Sequence, residues 1–358
     1  MFKKHILSLK RYQTSENRDV LNGIILDRNE RADHYDKKEF NSVLNKIPRF
    51  SLNATPDISL LYKKIAKFHN LKTNNIYITQ GITECMSHII FSLMKKNDEL
   101  IIMKPTYPMY NVLCKLHNVK FKEWKFNKNL KLSIKDLKKI INNKTKVIFL
   151  VNPNLPIENE ISENDKKEIL KICRKKGIIL VYDEAYFHFG AKSEIKKVEN
   201  NNNLIVMRTF SKAWGLSGIR LGYMVANKKL CDYVSKCRSL VETNSLTYQV
   251  ALWAIENKIY KKNVKNIKSG SLYLRKKLKK SHDEFYGGKY TNAILIRLQN
   301  FQATQNLKNF LAKRKIYIRN NFPDPISNCI RVSLASVKKL SKFYNEYIKW
   351  KKSYIKSN

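Results

Sequence analysis

The amino-acid sequence predicts an α/β protein with a mostly parallel sheet in a large domain, followed by a smaller α+β domain. Three observations support this prediction. Short apolar runs alternate with segments of helical periodicity from about Asp57 onwards, a pattern typical of domains with helices packed on a parallel sheet. The pattern changes after about Asn257, where a long basic helical segment begins. The 358 residues are 43% hydrophobic, which is enough for a sizeable core.

These changes of pattern divide the chain into three predicted parts. Residues 1–40 are polar and irregular and are interpreted as an N-terminal arm. Residues 41–258 form the predicted large domain, and residues 259–358 form the predicted small domain.

The elements of the large domain follow from the spacing of apolar residues. Leu60, Leu61, Ile65 and Phe68 recur at helical spacing and predict a helix over 59–68. Short apolar runs rich in Ile, Val and Leu predict buried strands. The predicted strands lie at 76–79, 100–103, 146–151, 177–182, 204–207 and 220–225, and two further helices lie at 82–94 and 163–176.

The small domain shows a different order of elements. A long basic helix is predicted over 259–280, and the Gly287-Gly288 pair follows it as a turn. Two short strands are then predicted at 293–298 and 330–334, with a closing helix at 337–354. Consecutive short strands between helices predict an α+β arrangement.

The net charge is the most extreme feature of the composition. The chain has 70 Lys and Arg against 29 Asp and Glu, a formal charge of +41. Such a charge is typical of a nucleic-acid or membrane-surface binder, of a protein for anionic substrates, or of compositional drift. Lysine is spread through almost every segment beside abundant Asn, Ile, Tyr and Phe. These residues share A/T-rich codons, so drift is the favoured explanation, and specific nucleic-acid binding is not expected.

Several classes of protein are excluded by what the sequence lacks. No apolar run approaches the roughly 18 residues of a membrane span, and the N-terminus has no secretory apolar region. The six cysteines are scattered without a C-x-x-C pair, and the seven histidines show no ligand spacing. We therefore expect no disulfide framework and no metal site. The expected protein is soluble, cytoplasmic and without contact to a membrane.

Reactive side chains follow the predicted strands, where ligands bind in open α/β sheets. Gly81 and Ile82 follow the first strand and open a helix, whose N-terminus attracts phosphate. Asp183 and Tyr186 follow the fourth strand, and Lys212 follows the fifth. Singly, each has a structural explanation, such as a capping Asp or a solvated Lys. Together they offer a phosphate site, a carboxylate, a phenol and an amine at one sheet edge.

Glycines cluster just after this lysine. The chain has only ten glycines, yet Gly215, Gly218 and Gly222 fall within eight residues. Because glycine is rare in this chain, the cluster predicts that the backbone conformation there requires glycine.

The sequence around these residues resembles that of class I/II, fold type I, pyridoxal 5′-phosphate (PLP)-dependent aminotransferases. The resemblance covers nearly the whole chain. The matching segments, in chain order, are PTYPMY at 105–110, NPNLP at 152–156, DEAY at 183–186, SKAWGLSGIRLGY at 211–223 and NCIRVS at 328–333.

The resemblance implies the PLP-dependent transferase fold and a role for each of several cofactor-binding residues. Lys212 would form a Schiff base with PLP and then act as general base, while Asp183 would pair with the pyridine nitrogen. Tyr186 would donate to the ring hydroxyl, and Tyr107 would stack on the ring. The residues implied at the cofactor phosphate are Ser211, Arg220, Gly81 and Ile82.

Within that family, the chain most resembles the histidinol-phosphate aminotransferases and the related threonine-phosphate decarboxylases. Tyr12-Gln13 and the segment at 26–30, LDRNE, are similar to motifs of the first group. The resemblance implies that Arg331 and Arg319 anchor the anionic end of a substrate, and that Tyr12 also contacts substrate. It also implies a homodimer, in which Tyr12 could serve the neighbouring site.

Two positions depart from the family pattern. Leu155 stands where an Asn would contact the ring hydroxyl of PLP, unless Asn154 shifts to replace it. No tyrosine is evident for the cofactor phosphate of a partner subunit, since Phe50 or Thr55 falls there. Neither departure removes the lysine or its acidic partner.

Three functions are compatible with the sequence. The first is an aminotransferase that moves an amino group between an amino-acid donor and a small, phosphorylated keto substrate. The second is a PLP-dependent decarboxylase of a phosphorylated amino acid, which would share these residues and this fold. The third is a nucleic-acid-binding protein on a degenerate scaffold, and the complete set of cofactor residues argues against it.

Overall fold

The computed structural model describes residues 2–9 and 22–357 of the chain. Tyr12, predicted to contact substrate, lies outside the described residues. The strands are β1 (Ile24–Leu26), β2 (Ile76–Thr79), β3 (Glu99–Lys104), β4 (Lys120–Lys125), β5 (Thr145–Val151), β6 (Ile179–Asp183), β7 (Leu204–Thr209), β8 (Gly222–Ala226), β9 (Phe285–Gly287), β10 (Ala293–Arg297), β11 (Ile316–Ile318) and β12 (Cys329–Ser333). The helices are α1 (Lys4–Leu7), α2 (Lys37–Leu44), α3 (Ser59–His69), α4 (Ile82–Leu93), α5 (Met109–Leu116), α6 (Ile134–Ile140), α7 (Glu163–Lys176), α8 (Lys228–Ser235), α9 (Ser245–Glu256), α10 (Tyr260–Lys280), α11 (Phe301–Ala312) and α12 (Val337–Ser357).

A seven-stranded sheet forms the centre of the large domain, in the order β2-β8-β7-β6-β5-β3-β4. Strands β4, β3, β5, β6 and β7 pair in parallel, whereas β8 is antiparallel to both of its neighbours. The α/β fold with a mostly parallel sheet is therefore confirmed. Residues of β5, β6 and β7 are buried almost throughout, as expected for strands covered by helices on both faces.

Two further sheets complete the fold. Strands β12, β10 and β9 form an antiparallel sheet, and helices α10 and α12 pack together beside it. Gly270 on α10 permits this packing, because a Cβ there would lie 1.8 Å from the carbonyl oxygen of Ala335. Strand β1 pairs in parallel with β11. The N-terminal segment is thereby joined to the C-terminal part of the chain.

The predicted strands and helices are all present, although their ends differ by a few residues. Strand β4 was not predicted, because four of its six residues are charged and its alternation is that of an exposed edge strand. The interpretation of residues 1–40 as irregular is wrong at α1, at β1 and at the start of α2. Strand β1 is too short to show a period, and it forms by pairing with β11, a contact distant in sequence.

The buried apolar residues form two clusters. The larger one fills the space around the seven-stranded sheet. The second joins Leu26 of β1, Leu155, Tyr186 and Ala213 to the apolar faces of α10, α11 and α12. Loops at the sheet edge therefore share one core with the small domain and the N-terminal segment. Burial of a side chain such as Leu155 contributes about 1.5 to 3 kcal/mol.

No helix in residues 2–9 or 22–357 is both long and apolar enough to cross a membrane.

Candidate active site

The candidate site lies at the carboxyl ends of β6 and β7, which are neighbours in the central sheet. Asp183 is the last residue of β6, and Lys212 follows the last residue of β7 by three positions. Backbone hydrogen bonds fix the positions of these strand ends relative to each other. The backbone N–H of Glu184 donates to the carbonyl of Met207 at 3.0 Å, and that of Asn152 donates to the carbonyl of Asp183 at 3.0 Å.

The Asp183 carboxylate is buried and held by two hydrogen bonds. The Tyr110 hydroxyl donates to Oδ2 at 2.8 Å, and the backbone N–H of Ala185 donates to Oδ1 at 3.0 Å. Burial raises the pKa of Asp183 to about 6, although these hydrogen bonds and the charge of Lys212 oppose the rise. Asp183 can therefore hold or release a proton near neutral pH.

The Lys212 amine lies close to several charges. Its Nζ donates to the backbone carbonyl of Asn29 at 3.2 Å. Desolvation lowers the pKa of Lys212 to about 8; Glu30 opposes this shift, while Arg331 and Arg220 add to it. A lysine with such a pKa is partly neutral near physiological pH, and only the neutral amine is a nucleophile or a base.

The Tyr186 phenol lies beside this amine and is buried. Lys212 Nζ is 5.9 Å from the centroid of the Tyr186 ring. The side-chain amide of Asn29 donates to the Tyr186 hydroxyl at 3.5 Å, the outer limit of a hydrogen bond. Burial raises the pKa of Tyr186 well above its ordinary value, so the phenol keeps its proton and can donate it to a ligand.

The N-terminus of α4 offers a binding site for an anion. Gly81 precedes this helix with a φ of +79°, and no side chain of the N-cap residue occupies the helix end. A Cβ on Gly81 would lie 2.9 Å from Nη2 of Arg220, and one on Gly222 would lie 2.9 Å from the backbone nitrogen of Ile82. The two glycines therefore allow the guanidinium, strand β8 and the helix N-terminus to meet. Helix N–H groups and a guanidinium are favourable partners of phosphate.

The predicted serine also lies at this edge of the sheet. Ser211 is buried, and its hydroxyl accepts a hydrogen bond from the Thr209 hydroxyl, with 3.0 Å between the oxygens. A serine hydroxyl both accepts and donates, so Ser211 has a proton that it can offer to an anion.

The glycine cluster has a different explanation at each position. Gly222 serves the anion site described above. Gly215, with a φ of +71°, packs against Arg31, since a Cβ there would lie 2.7 Å from its Cδ. At Gly218 a Cβ would meet nothing within 4 Å and φ is not positive. The predicted requirement of the backbone for glycine is therefore met at Gly215 and Gly222, but not at Gly218.

A buried ion pair lies directly behind the site. Arg208 of β7 donates through Nη2 to Oε2 of Glu184 at 2.7 Å, and both side chains are buried. The Ser193 hydroxyl donates to the same oxygen at 2.7 Å, and the backbone N–H of Glu194 donates to Oε1 at 2.6 Å. The guanidinium also stacks over the Phe187 ring at 3.4 Å. These contacts tie the ends of β6 and β7 together.

The two predicted substrate arginines are neighbours across a short backbone pairing. The N–H of Arg319 donates to the carbonyl of Arg331 at 3.1 Å, and the N–H of Arg331 donates to the carbonyl of Arg319 at 2.7 Å. Arg331 also donates through Nη2 to the carbonyl of Asp27 at 2.6 Å. Arg319 is exposed, and Arg331 is half-buried within electrostatic range of Lys212 and Tyr186.

Tyr107, predicted to stack on a ring, lies within electrostatic range of Tyr186. Its side chain is 46% exposed. Part of Tyr107 is therefore accessible to a ligand.

The loop after β5 contains the main departure from the family pattern. Leu155 is buried in the same apolar cluster as Tyr186. Asn154 does not replace the missing amide, because its Nδ2 donates to the carbonyls of Pro105 and Ile157 at 3.1 and 3.0 Å. Its Oδ1 accepts from the Thr106 hydroxyl at 2.7 Å.

Asn29, Glu30 and Tyr110 lie at the site, although their positions in the sequence predict no role for them. Asn29 and Glu30 belong to the segment at 26–30, whose resemblance does not indicate what they contact. Tyr110 stands at the end of the matched segment 105–110, but nothing in its spacing indicates a contact with Asp183.

The chemistry of these groups fits PLP. The cofactor presents a pyridine nitrogen, an aldehyde, a ring hydroxyl and a phosphate, and the site offers a carboxylate, an amine, a phenol and an anion-binding helix end. Among residues 2–9 and 22–357, no group of three or more His, Cys, Asp or Glu side chains is arranged to hold a metal ion.

Comparison with known proteins agrees with this chemistry. The family model for aminotransferases of class I and II matches residues 24–341. The chain is 31% identical over 310 residues to the histidinol-phosphate aminotransferase of Methanocaldococcus jannaschii, covering 84% of this chain and 82% of that protein. It is 30% identical over 350 residues to the same-named enzyme of Buchnera aphidicola subsp. Cinara cedri, covering 96% of both.

A solved structure shows the same fold. Histidinol-phosphate aminotransferase from Sinorhizobium meliloti, in complex with pyridoxal-5′-phosphate, superposes with a TM-score of 0.85 at 19% identity. The match covers 98% of each chain.

The raised pKa of Asp183 predicts how stability depends on pH. In the cofactor-free chain, the folded-state pKa of about 6 lies above the ordinary 3.8, so ionisation destabilises the fold as the pH rises through this interval. A shift of about two units corresponds to about 3 kcal/mol. We expect Asp183→Asn to be more stable than wild type by up to that amount at about pH 8, and the difference to vanish below about pH 4.

Chemical denaturation of the cofactor-free proteins at both pH values measures this difference. Asp232→Asn, at an exposed carboxylate of α8, is the matched control and should change little at either pH. An Asp183→Asn protein that is less stable than wild type at the higher pH would contradict the assignment.

Proposed function

The chain belongs to the family of class I and II aminotransferases, and on this premise we propose which residues perform the reaction and which substrate they act on. It is a PLP-dependent aminotransferase that transfers an amino group between an amino acid and a keto substrate. The observation that supports the proposed site most directly is the arrangement of Asp183 and Lys212 on neighbouring strand ends, each with a pKa shifted toward neutrality.

The cofactor is held, in this proposal, at opposite ends. Arg220, Ser211 and the N–H groups at Gly81 and Ile82 bind its phosphate. Asp183 would pair with its pyridine nitrogen, Tyr186 would donate to its ring hydroxyl, and Tyr107 would stack on its ring. When bound, PLP supplies an electron sink for the pair left on the substrate Cα after a proton is removed.

The protein's own side chains then stabilise charge and transfer protons. Asp183 keeps a proton on the pyridine nitrogen, and Tyr110 and the Ala185 N–H stabilise the resulting carboxylate. As a free amine, Lys212 has a lowered pKa that would suit it to take the proton from the substrate Cα and to return it. Its position relative to Asp183 is set by the paired ends of β6 and β7.

We propose that the substrate is small and phosphorylated, with histidinol phosphate as the first candidate. The relatives reported above carry that substrate in their names, and Arg331 and Arg319 together offer a guanidinium pair for its anionic end. Arg319 is exposed and can bind phosphate bidentately without leaving its strand pairing.

We further propose a homodimer. Large apolar side chains are exposed at Phe50, Leu52, Leu240 and Leu246, with Leu52 81% and Leu240 96% exposed. The segment Arg49–Leu52 packs against α9, which carries Leu246. Leu240 lies shortly before that helix. Exposed large apolar side chains are typical of a protein–protein interface, and a second copy of this chain is the proposed partner.

The state of the cysteines supports a cytoplasmic location for the enzyme. All six are free thiols, and five of them are buried. Free thiols persist in a reducing compartment.

Lys212→Ala tests the central role in the proposed mechanism. The variant should lose the visible absorbance of lysine-bound cofactor, and its turnover should fall by at least about 10³-fold, because both the covalent attachment and the general base are removed. Lys229→Ala, at an exposed lysine of α8, is the control. Unchanged absorbance and turnover in Lys212→Ala would refute the role.

Arg319→Ala tests the substrate assignment. With histidinol phosphate as donor and 2-oxoglutarate as acceptor, KM for histidinol phosphate should rise about 10- to 100-fold, since a hydrogen bond to a charged group is lost. KM for unphosphorylated histidinol should stay unchanged, as should both values in Arg314→Ala, an exposed arginine. Release of carbon dioxide from a phosphorylated amino acid without any keto acid would favour the decarboxylase instead.

Leu240→Asp tests the proposed dimer. A carboxylate at the centre of a buried interface is strongly unfavourable, so light scattering should show a shift from dimer toward monomer. Leu272→Asp, at a leucine of α10 that is 71% exposed, should leave the mass unchanged. A wild-type protein that is monomeric at working concentration would contradict the proposal.

A further inference from the structure

We propose that Asn29 is a positioning residue, which holds the Tyr186 phenol in the orientation needed to donate to the cofactor and gives the free amine of Lys212 a fixed place. This inference rests on the roles proposed above for Tyr186 and Lys212. Asn29 belongs to the N-terminal segment, whereas both of its partners belong to the large domain.

The backbone of Asn29 is held in an unusual conformation. Its φ is +55°, a region that Asn and Gly adopt more readily than other residues. The residue is only 4% exposed. Two contacts from β12 fix it: the Asn29 N–H donates to the Ser333 hydroxyl oxygen at 2.8 Å, and that hydroxyl donates to Asn29 Oδ1 at 3.2 Å. Ser333 therefore holds both the backbone N–H and the side-chain amide of Asn29.

The carbonyl of Asn29 faces the Lys212 amine. It accepts from Lys212 Nζ at 3.2 Å and from Nδ2 of Asn292 at 2.9 Å. A carbonyl oxygen has two lone pairs, so it can serve both donors at once. When Lys212 is not bonded to the cofactor, this carbonyl gives its nitrogen a defined position.

The side-chain amide of Asn29 orients the Tyr186 phenol. Because Oδ1 is occupied by Ser333, the Nδ2 group faces the Tyr186 oxygen as a donor. A phenol that accepts from an amide keeps its own proton for another acceptor. Leu155, in the same apolar cluster as Tyr186, has no polar atom with which to do this. Among residues 2–9 and 22–357, Asn29 is the side chain that donates to this hydroxyl.

Charged and titratable groups also face the two partners. Around Tyr186 they are Arg331 of β12, Asp183 of β6 and Tyr107 before α5. Around Lys212 they are Glu30 of the N-terminal segment, Arg331, Arg220 and Asp183. Replacement of Asn29 by an uncharged residue leaves all of these in place.

The test is a pH titration of the visible absorbance of the holoenzyme, comparing wild type with Asn29→Gly. Glycine tolerates the positive φ and keeps the carbonyl for Lys212, so only the amide side chain is lost. A well-oriented Tyr186 would donate to the oxygen of the cofactor's ring hydroxyl. This hydrogen bond would stabilise the negative charge that the oxygen carries once the lysine-linked nitrogen has lost its proton. We therefore expect the midpoint to rise by about 0.4 to 1 pH unit, the equivalent of one neutral hydrogen bond.

Two further variants separate positioning from general stability. Asn70→Gly removes an exposed Asn with the same φ of +55° at the end of α3, and its midpoint should equal that of wild type. Ser333→Ala frees the Asn29 side chain and should raise the midpoint in the same direction. Adding it to Asn29→Gly should raise the midpoint no further, because both act through one amide.

An Asn29→Gly midpoint equal to that of wild type would overturn the inference, even if the variant unfolds at lower temperature. A wild-type protein that binds PLP without the absorbance of a lysine-bound cofactor would instead refute the role of Lys212. The two failures are therefore distinguishable.

Discussion

The buried ion pair between Glu184 and Arg208 is the interaction on which the site depends. Glu184 directly follows Asp183, and Arg208 lies four residues before Lys212, so the pair fixes the two strand ends that carry the reactive groups. Four further contacts support it: the Ser193 hydroxyl, the Glu194 N–H, the Phe187 ring and a 3.4 Å approach of Nη1 to the His69 ring. Loss of either charge would leave the other buried without an opposite charge beside it, which typically costs about 3 to 5 kcal/mol.

The site is completed by parts of the chain that are distant in sequence. Strand β1 pairs with β11, and this pairing brings Asn29 and Glu30 to the amine of Lys212. Leu155, Tyr186 and Ala213 share an apolar cluster with the small domain. Folding of the small domain and assembly of the site are therefore coupled, since the same buried side chains serve both.

Whether a feature can be predicted from the sequence depends on how far apart in the chain the interacting residues lie. The strands of the central sheet are predictable because their apolar runs are local, and Asp183, Lys212 and Arg220 follow from position and resemblance. The role of Asn29 is not predictable from the sequence. Its partners Tyr186 and Lys212 are more than 150 residues away, and only the folded chain brings them into contact. Gly218 shows the opposite error: it clusters with Gly215 and Gly222, yet no contact requires it to be glycine. Of the 70 basic residues, the proposed chemistry uses only Lys212, Arg220, Arg331 and Arg319.

The proposed mechanism requires that one lysine, three residues after β7, carries the cofactor. The most direct test is reduction of the holoenzyme with sodium borohydride, followed by peptide mapping by mass spectrometry. Reduction makes the lysine–cofactor bond permanent and so marks the residue that forms it. We expect a single pyridoxyl group, on Lys212. A modification on any other lysine, or spread over many lysines of this highly basic chain, would contradict it.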